Sequence, residues 1–349
     1  MRSAARKVKE EEERPKVTIG ILKKWLENER IILADVGTRG GVHERWTRLS
    51  PVLRVIGFEP DAEECAVIND RSKSVPYPFY CLPYALGRQD GENRTLQFTR
   101  HLGCTSLYIP NAELANEFHF GWAFEVKGNQ PVVLTTLDTV CRNGGFVPDC
   151  LKIDVQGSAL DVLFGGENIL PHVLALEMEV EFSPLYIGEP LFSDIDIYLR
   201  KHGFMLLGLR RTLWRRKYCR ELPLTPWGGQ IIHGDVFYIN ARKVWQENII
   251  DTKGILKFCA ILSAYRQEDL LAQILMRPHP ALELLTEHER KKIFLALMHQ
   301  PSTAVKILRK VLRLANRVSS TQLDNTRLRA LVDSLKDPAT TDWHDPDFY

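Results

Sequence analysis

The stretch Ile31-Ile32-Leu33-Ala34-Asp35-Val36-Gly37-Thr38-Arg39-Gly40-Gly41 constrains the fold most. A short apolar run ends in an acid and breaks into a glycine turn, the pattern of a parallel strand covered on both faces. Gly37, Gly40 and Gly41 permit positive φ and let the backbone come close to a ligand. Val42 to Leu49 can follow as a helix whose N-terminal amides face the same crevice. A second unit comes at once: Val52 to Phe58 is apolar and ends in Glu59-Pro60-Asp61. Glu59 lies 22 residues after Gly37. At that spacing an acid on the second strand of a doubly wound fold reaches ribose hydroxyls.

The rest of the chain repeats the alternation. Thr18 to Glu29 carries a helical stripe of Ile19, Leu22 and Leu26, with Thr18 as the expected N-cap. Residues 61–70 suit a helix, and Tyr77 to Leu86, interrupted by Pro78 and Pro83, suits a partial strand. Arg94 to Arg100 alternates like a strand. Residues 101–130 read as a long connection rich in aromatics, among them Tyr108, Phe118, Phe120, Trp122 and Phe124. A lid over a ligand and a satellite core are equal readings of it. Val132 to Thr135 is a short strand, and Cys150-Leu151-Lys152-Ile153-Asp154-Val155-Gln156-Gly157 is an apolar strand with polar residues at its carboxyl end. A helix over 158–169, a strand over Val173 to Val180, a helix over Leu191 to His202 and two last strands, Phe204 to Leu209 and Gln230 to Ile239, complete the series. The expected fold is α/β, a doubly wound sheet with an antiparallel edge hairpin. Asp35, Glu59, Asp154 and Glu177 all fall at strand carboxyl ends, where such sheets bind ligands.

Beyond residue 245 the periodicity is helical only. The domains read as a charged tail over 1–16, an α/β domain over 17–244, an all-α region over 245–336 and an acidic tail over 337–349. Residues 301–320 carry Lys306, Arg309, Lys310, Arg313 and Arg317 opposite Val305, Leu308 and Leu312. This basic amphipathic face suits peripheral contact with anionic lipid, although a solvated face over a small core is the commoner reason for it. With a net charge of +2, nothing global points to nucleic acid. No apolar run approaches the roughly 20 residues that span a bilayer, and no signal core is visible. Seven cysteines, without a C-x-x-C pair, indicate neither a zinc site nor a disulfide framework. The expected compartment is the reducing cytoplasm, and no metal is expected.

The glycine loop is not G-x-G-x-x-G, which would favour a pyrophosphate. An acid just before a looser turn suits a cofactor with a cationic amino-acid end, since Asp35 could orient an ammonium. S-adenosylmethionine has that end and a ribose for Glu59. Asp35-Val36-Gly37, Gly57-Phe58-Glu59-Pro60-Asp61, Ala85-Leu86-Gly87, Thr136-Leu137-Asp138 and Leu151-Lys152-Ile153-Asp154 also stand in the order and spacing of FkbM-type S-adenosylmethionine-dependent methyltransferases, which residues 30–240 resemble. The resemblance implies the seven-stranded class I methyltransferase (Rossmann-like) fold and O-methylation, often of a sugar or a glycan-bearing natural product. It implies cofactor contacts by Asp35, Gly37, Gly40, Gly41, Glu59, Pro60, Ala85, Leu86 and Asp154. The chain departs from the family at Arg39, where Asn is usual, and at Gln156 and Ala159, where acids are usual.

Transfer to a hydroxyl benefits from a base at the displaced proton. Asp154 is the first candidate for that base or for binding the methionine end, His233 the second, and Lys152 accompanies them. Glu177 and Glu181 are candidates for positioning acceptor hydroxyls. Arg210, Arg211, Arg215, Arg216, Lys217 and Arg220, set around Trp214 and Tyr218, could grip an acidic acceptor. Protection of a sheet edge against aggregation is the commoner reason for such a cluster. The leading expectation is O-methylation of a sugar hydroxyl on a glycan or glycosylated small molecule. A protein or RNA acceptor and a non-catalytic cofactor-binding scaffold are the alternatives. Arg39 is expected to point away from the sulfonium or to pair with a carboxylate.

Overall fold

The computed structural model describes residues 15–219, 228–245, 252–276 and 280–297. The basic face over 301–320, the acidic tail, Arg220 and all but the end of the charged N-terminal tail lie outside them. In chain order the elements are α1 (residues 15–26), β1 (Ile31–Val36), α2 (Glu44–Thr47), β2 (Leu53–Phe58), α3 (Ala62–Ser72), β3 (Phe79–Leu82), β4 (Ala85–Leu86) and β5 (Asn93–Thr99). Then come α4 (Ala112–Ala115), β6 (Val126–Thr135), α5 (Leu137–Gly144), β7 (Cys150–Ile153), α6 (Ala159–Phe164), β8 (Ala175–Glu181), α7 (Phe192–Lys201) and β9 (Phe204–Trp214). β10 (Gln230–Asn240), α8 (Ala241–Trp245), α9 (Thr252–Ala264), α10 (Glu268–Met276) and α11 (Glu287–Leu297) complete the set.

Seven strands form one sheet in the order β3-β2-β1-β7-β8-β10-β9. The first five run parallel, and β10 enters antiparallel to both β8 and β9. This is the class I methyltransferase arrangement. The order reverses between β1 and β7, which opens a crevice beyond their carboxyl ends. The main core packs α5, α6 and α7 on one face of the sheet through buried residues such as Leu137, Val162, Ile195, Leu151, Met178 and Tyr238. Each large side chain so buried contributes roughly 1.5–3 kcal/mol.

Several elements differ from the sequence reading. The helix over Val42–Leu49 is one turn, Glu44–Thr47, capped by the His43 ring accepting from Arg45 N–H at 3.2 Å. A 3₁₀ turn over Ser50–Val52, with Pro51 at its start, follows and delivers the chain to β2. The helix α1 begins at or before residue 15, so Thr18 lies buried inside it rather than capping it. β6 is far longer than Val132–Thr135, because Gly128 and Pro131 disguise a mostly exposed strand that pairs antiparallel with β5. Pro83 splits the third strand, and its second half, β4, leaves the main sheet to pair with β6. α6 stops at Phe164, ahead of Gly165 and Gly166, and a side chain at Gly165 would meet the Gly87 carbonyl at 2.1 Å. Among the aromatics of 101–130, Phe118 and Phe124 join Tyr186, Trp214 and Ile232 in a second hydrophobic cluster, with Tyr108 and Phe120 packed against it. That is the satellite-core reading.

The described residues as far as Phe294 form one compact unit, α9 and α10 included. Lys257 on α9 pairs with Asp149 at 2.8 Å, and Arg48 Nη1 donates to the Ala264 carbonyl at 2.9 Å. No helix among the described residues is long and apolar enough to cross a membrane.

Candidate active site

The crevice is built by the turns that follow β1, β2 and β7. Gly37 and Thr38 both donate N–H bonds to the Phe58 carbonyl, at 3.0 and 3.1 Å. This folds the glycine turn back over the end of β2. Gly37 sits at φ +81°, and an added Cβ would lie 1.8 Å from the Asp154 carbonyl oxygen. Only glycine lets β1 and β7 end this close together. The resulting cavity, about 160 Å³, is walled by Gly37, Arg39, Glu59, Pro60, Ala85, Leu86, Asp154 and Gln156. The loop after β5 closes it with Leu102, Thr105, Ser106 and Leu107. The sequence carries no recognisable mark for that loop's role, nor for Tyr84 and Leu96, which also line the cavity.

Glu59 is buried at the tip of β2. Its Oε1 accepts from Asp61 N–H at 3.0 Å and from Arg39 at 3.3 Å, while Oε2 has no partner among the described residues. Burial pushes its carboxyl up against the opposing Asp61 N–H bond and the Arg39 charge. Arg39 also pairs with Asp61 at 2.9 Å and Glu64 at 3.6 Å. Its guanidinium is therefore tied to three carboxylates of the β2–α3 corner, which answers the question posed by its place in the loop.

Asp35, in contrast, does not line the cavity. It is buried behind the turn, where Oδ2 accepts from the Thr38 hydroxyl at 3.0 Å and Oδ1 lies 3.5 Å from Lys152 Nζ. Lys152 also lies 3.3 Å from Asp154 and 3.5 Å from the Gly37 carbonyl. Burial works to lower the Lys152 pKa, but Asp35 and Asp154 outweigh it and hold it above the usual lysine value. Lys152 is thus a fixed cation that ties β1 to β7 and has no free pair for a proton. Gly40 and Gly41 take positive φ, 81° and 97°, in the turn but stay outside the cavity wall.

Asp154 is the partly exposed carboxylate of the site, with 39% of its side chain accessible. Gln156 beside it has φ 51°, a left-handed conformation that costs a non-glycine residue about 1–3 kcal/mol and marks functional turns. Its Nε2 donates to Asp154 Oδ1 at 2.9 Å and to Glu179 Oε2, and its Oε1 accepts from the Tyr186 hydroxyl at 3.0 Å. Glu179 Oε1 lies 2.7 Å from His233 Nδ1. Burial tends to raise the Asp154 carboxyl, yet Lys152 and the Glu179 and Gln156 bonds hold it below the usual range. Burial and then the Asp154 charge push Glu179 up to about 7. Against burial, Glu179 raises His233. Glu179 was missed by sequence reasoning. Its signal was the i, i+2, i+4 spacing of Glu177, Glu179 and Glu181, which puts three acids on one sheet face.

The structure separates the other expected acceptor residues from the cavity. Glu177 is buried and engaged by Arg45, by the Trp46 indole N–H at 2.8 Å and by the Tyr265 hydroxyl. Its bonds lock α2 and the α9–α10 junction onto β8. Glu181 is buried beside Glu189, and burial with that second carboxylate raises it well above the usual range. Arg216 lies on the Phe118 ring, 4.5 Å from its centroid, and donates to Gln230 at 2.7 Å. Arg215 follows Trp214 at the end of the edge strand, and neither arginine lines the cavity. No group of three His, Cys, Asp or Glu suited to a metal occurs among the described residues.

The donor set fits S-adenosylmethionine. Glu59 Oε2 is free for ribose hydroxyls, Pro60, Ala85 and Leu86 offer an apolar wall, and Asp154 offers a second negative group. Among solved structures, the chain is similar to precorrin-6y C5,15-methyltransferase from Geobacter metallireducens, with 11% identity, a TM-score of 0.28, and 64% of this chain and 87% of that one covered. It is also similar to TrmK of M. capricolum in complex with S-adenosylhomocysteine, with 6% identity, a TM-score of 0.32, and 91% and 94% covered. No curated protein sequence matches the chain. A family model described as the methyltransferase FkbM domain matches residues 35–206, from the last turn of β1 to the start of β9. With that match laid over a class I sheet and a crevice that fits the cofactor, residues 35–206 belong to the FkbM family, and the chain is an S-adenosylmethionine-dependent methyltransferase.

Proposed function

We propose that the chain O-methylates a sugar hydroxyl on a glycan or a glycosylated small molecule. The observation that supports this most is Asp154: a partly exposed carboxylate in the wall of the cavity that Glu59 also lines. A hydroxyl gives up a proton as it is methylated, and a carboxylate at that point can receive it. S-adenosylmethionine, when bound, supplies the activated methyl group. The chain's own residues bind and orient. Glu59 accepts from the ribose hydroxyls, with Gly37, Pro60, Ala85 and Leu86 around it, and Asp154 faces the methionine end and the acceptor. The loop from Leu102 to Leu107 shields the space from water. Asp35 and Lys152 act from behind the glycine turn by holding β1 against β7. His233 stands one residue further out, behind Glu179.

The edge-strand arginines Arg210, Arg211, Arg215 and Arg216 favour a second reading, an RNA or acidic protein acceptor. Calorimetric titration with S-adenosylmethionine and S-adenosylhomocysteine tests the cofactor site. Glu59→Ala is expected to weaken binding about 10–100-fold, the loss of a charged hydrogen bond, while the circular dichroism spectrum is retained. Unchanged affinity would overturn the assignment of Glu59. A labelled-methyl screen over glycans, lipid-linked sugars, RNA and protein then decides the acceptor: label in RNA or protein alone would replace the sugar reading.

A further inference from the structure

Resting on the methyl-transfer reading above, we propose that Glu179 and His233 form an exit path that takes the acceptor's proton from Asp154 to solvent. Both are positioning residues that act through Asp154, and neither lines the cavity. β8 turns three acids to one face. Glu177 is consumed by Arg45, Trp46 and Tyr265, and Glu181 is walled in beside Glu189. Glu179 alone of the three touches both the cavity group and a group that reaches the surface. On its inner side it shares the Gln156 amide with Asp154, one Nε2 serving both carboxyl groups. On its outer side it meets His233 at 2.7 Å, and a quarter of the His233 side chain is accessible.

Gln156 makes this pairing possible. Its NH₂ faces the two carboxyl groups, and its Oε1 faces the Tyr186 hydroxyl, whose hydrogen is shared with the Cys104 carbonyl. An acid at position 156, as the family usually has, would bring a third negative charge between Asp154 and Glu179. The amide supplies a hydrogen to each instead and holds them as a pair. Two carboxyls so close share one proton near neutral pH. The charged and titratable groups around Glu179 are Lys152 from β7 and Asp154 just after it, Glu177 and Glu181 from β8, and His233 and Asp235 from β10. Arg45 comes from α2, and Tyr186, Glu189 and Cys104 from the loops.

The bookkeeping closes. The acceptor oxygen forms a bond to the methyl carbon, the carbon–sulfur bond breaks, and its electron pair stays on sulfur. The hydroxyl proton goes to Asp154. The proton already held by Glu179 moves to His233 Nδ1, the Asp154 proton refills Glu179, and the His233 ring swings outward and gives that Nδ1 proton to water, so that all three groups return to their starting protonation.

Glu179→Gln keeps the shape and removes the carrier. We expect methyl transfer to fall about 100-fold, with loss of the pH–rate limb near neutrality, and the S-adenosylmethionine Kd to stay within about twofold. Glu179→Asp should restore part of the rate and the limb. Titration of the His233 ring protons by NMR gives a readout without turnover: its pKa should drop in Glu179→Gln. An unmoved His233 titration, or an unchanged pH–rate profile, with cofactor binding intact would overturn the exit path and leave the methyltransferase reading standing. Failure of the unmutated chain to bind the cofactor would overturn that reading instead. Should Glu179→Gln not fold, His233→Asn tests the same path, and a pH–rate profile equal to that of the unmutated chain would overturn it.

Discussion

A methyl group on Gly37 has no room, since the Asp154 carbonyl stands 1.8 Å from where it would be. Positive φ adds to the cost. Gly37→Ala is therefore expected to destabilise the fold by more than about 2 kcal/mol, a large value for one methyl, and to displace Asp154 from the cavity wall. Chemical denaturation and cofactor titration of the variant would show both effects; wild-type values for both would refute them. The two other loop glycines have open space around them, so Gly40 and Gly41 serve the turn and not the packing. How much of the site could be read in advance follows from this difference. Glu59, Pro60, Ala85, Leu86, Gly37 and Asp154 stand at chain breaks after apolar runs, and a strand end is visible in sequence. Asp35 also stands at such a break, but its side chain points behind the turn, and alternation along a strand does not say which face carries the ligand. Gln156 looked like a loss of charge; only the Tyr186 hydroxyl and Glu179, distant in sequence, reveal it as a bridge.

Among elements, β8 shows how one strand serves two layers. Leu176, Met178 and Val180 enter the main core, while Glu177, Glu179 and Glu181 line the other face. A buried row of acids is costly unless each finds partners. Tyr265, just past α9, is one such partner: its hydroxyl bonds Glu177 and its ring stacks on Phe237 at 3.9 Å. Tyr265→Phe keeps the stack and removes the bond to a charged group, so a loss of roughly 1.5–3 kcal/mol is expected. Equilibrium unfolding in urea measures it, and an unchanged midpoint would show that Arg45 and Trp46 suffice. The main sheet was legible because each strand is a compact apolar run. The β5–β6 pair was not, because most of β6 is exposed on both faces and Gly128 and Pro131 break its pattern. The docking of α9 was equally hidden, since helical periodicity shows that a face is apolar without showing what it meets.

At the scale of the whole molecule the buried acids set the response to pH. Burial raises Glu179 to about 7 and Glu189 to about 8, and raises Glu181 well above the usual carboxylate range. Each folded value lies above the unfolded one, so these groups favour folding below the usual carboxylate range. That contribution is lost as pH rises through the folded values. The raised His233 acts in the same direction, and His43, which burial lowers, opposes them. Asp90, held at about 2 by Thr139 and Thr136, changes stability only in acid. Thermal melts are expected to show the Tm falling by a few degrees from pH 5.5 to pH 8.5. Glu189→Gln should flatten that slope by raising the Tm at the alkaline end. A Tm that climbs over this range would contradict the reading.

The bonds from Arg48 to Ala264, Lys257 to Asp149 and Tyr265 to Glu177 have a practical consequence. The matched segment, 35–206, is not a portable cassette. Cut out alone, or ended before residue 252, it would carry an exposed seam of sheet and a carboxylate stripped of a donor. The smallest piece able to stand by itself must reach past Tyr265, so borders for expression or grafting belong beyond the helices and not at the limits of the family match.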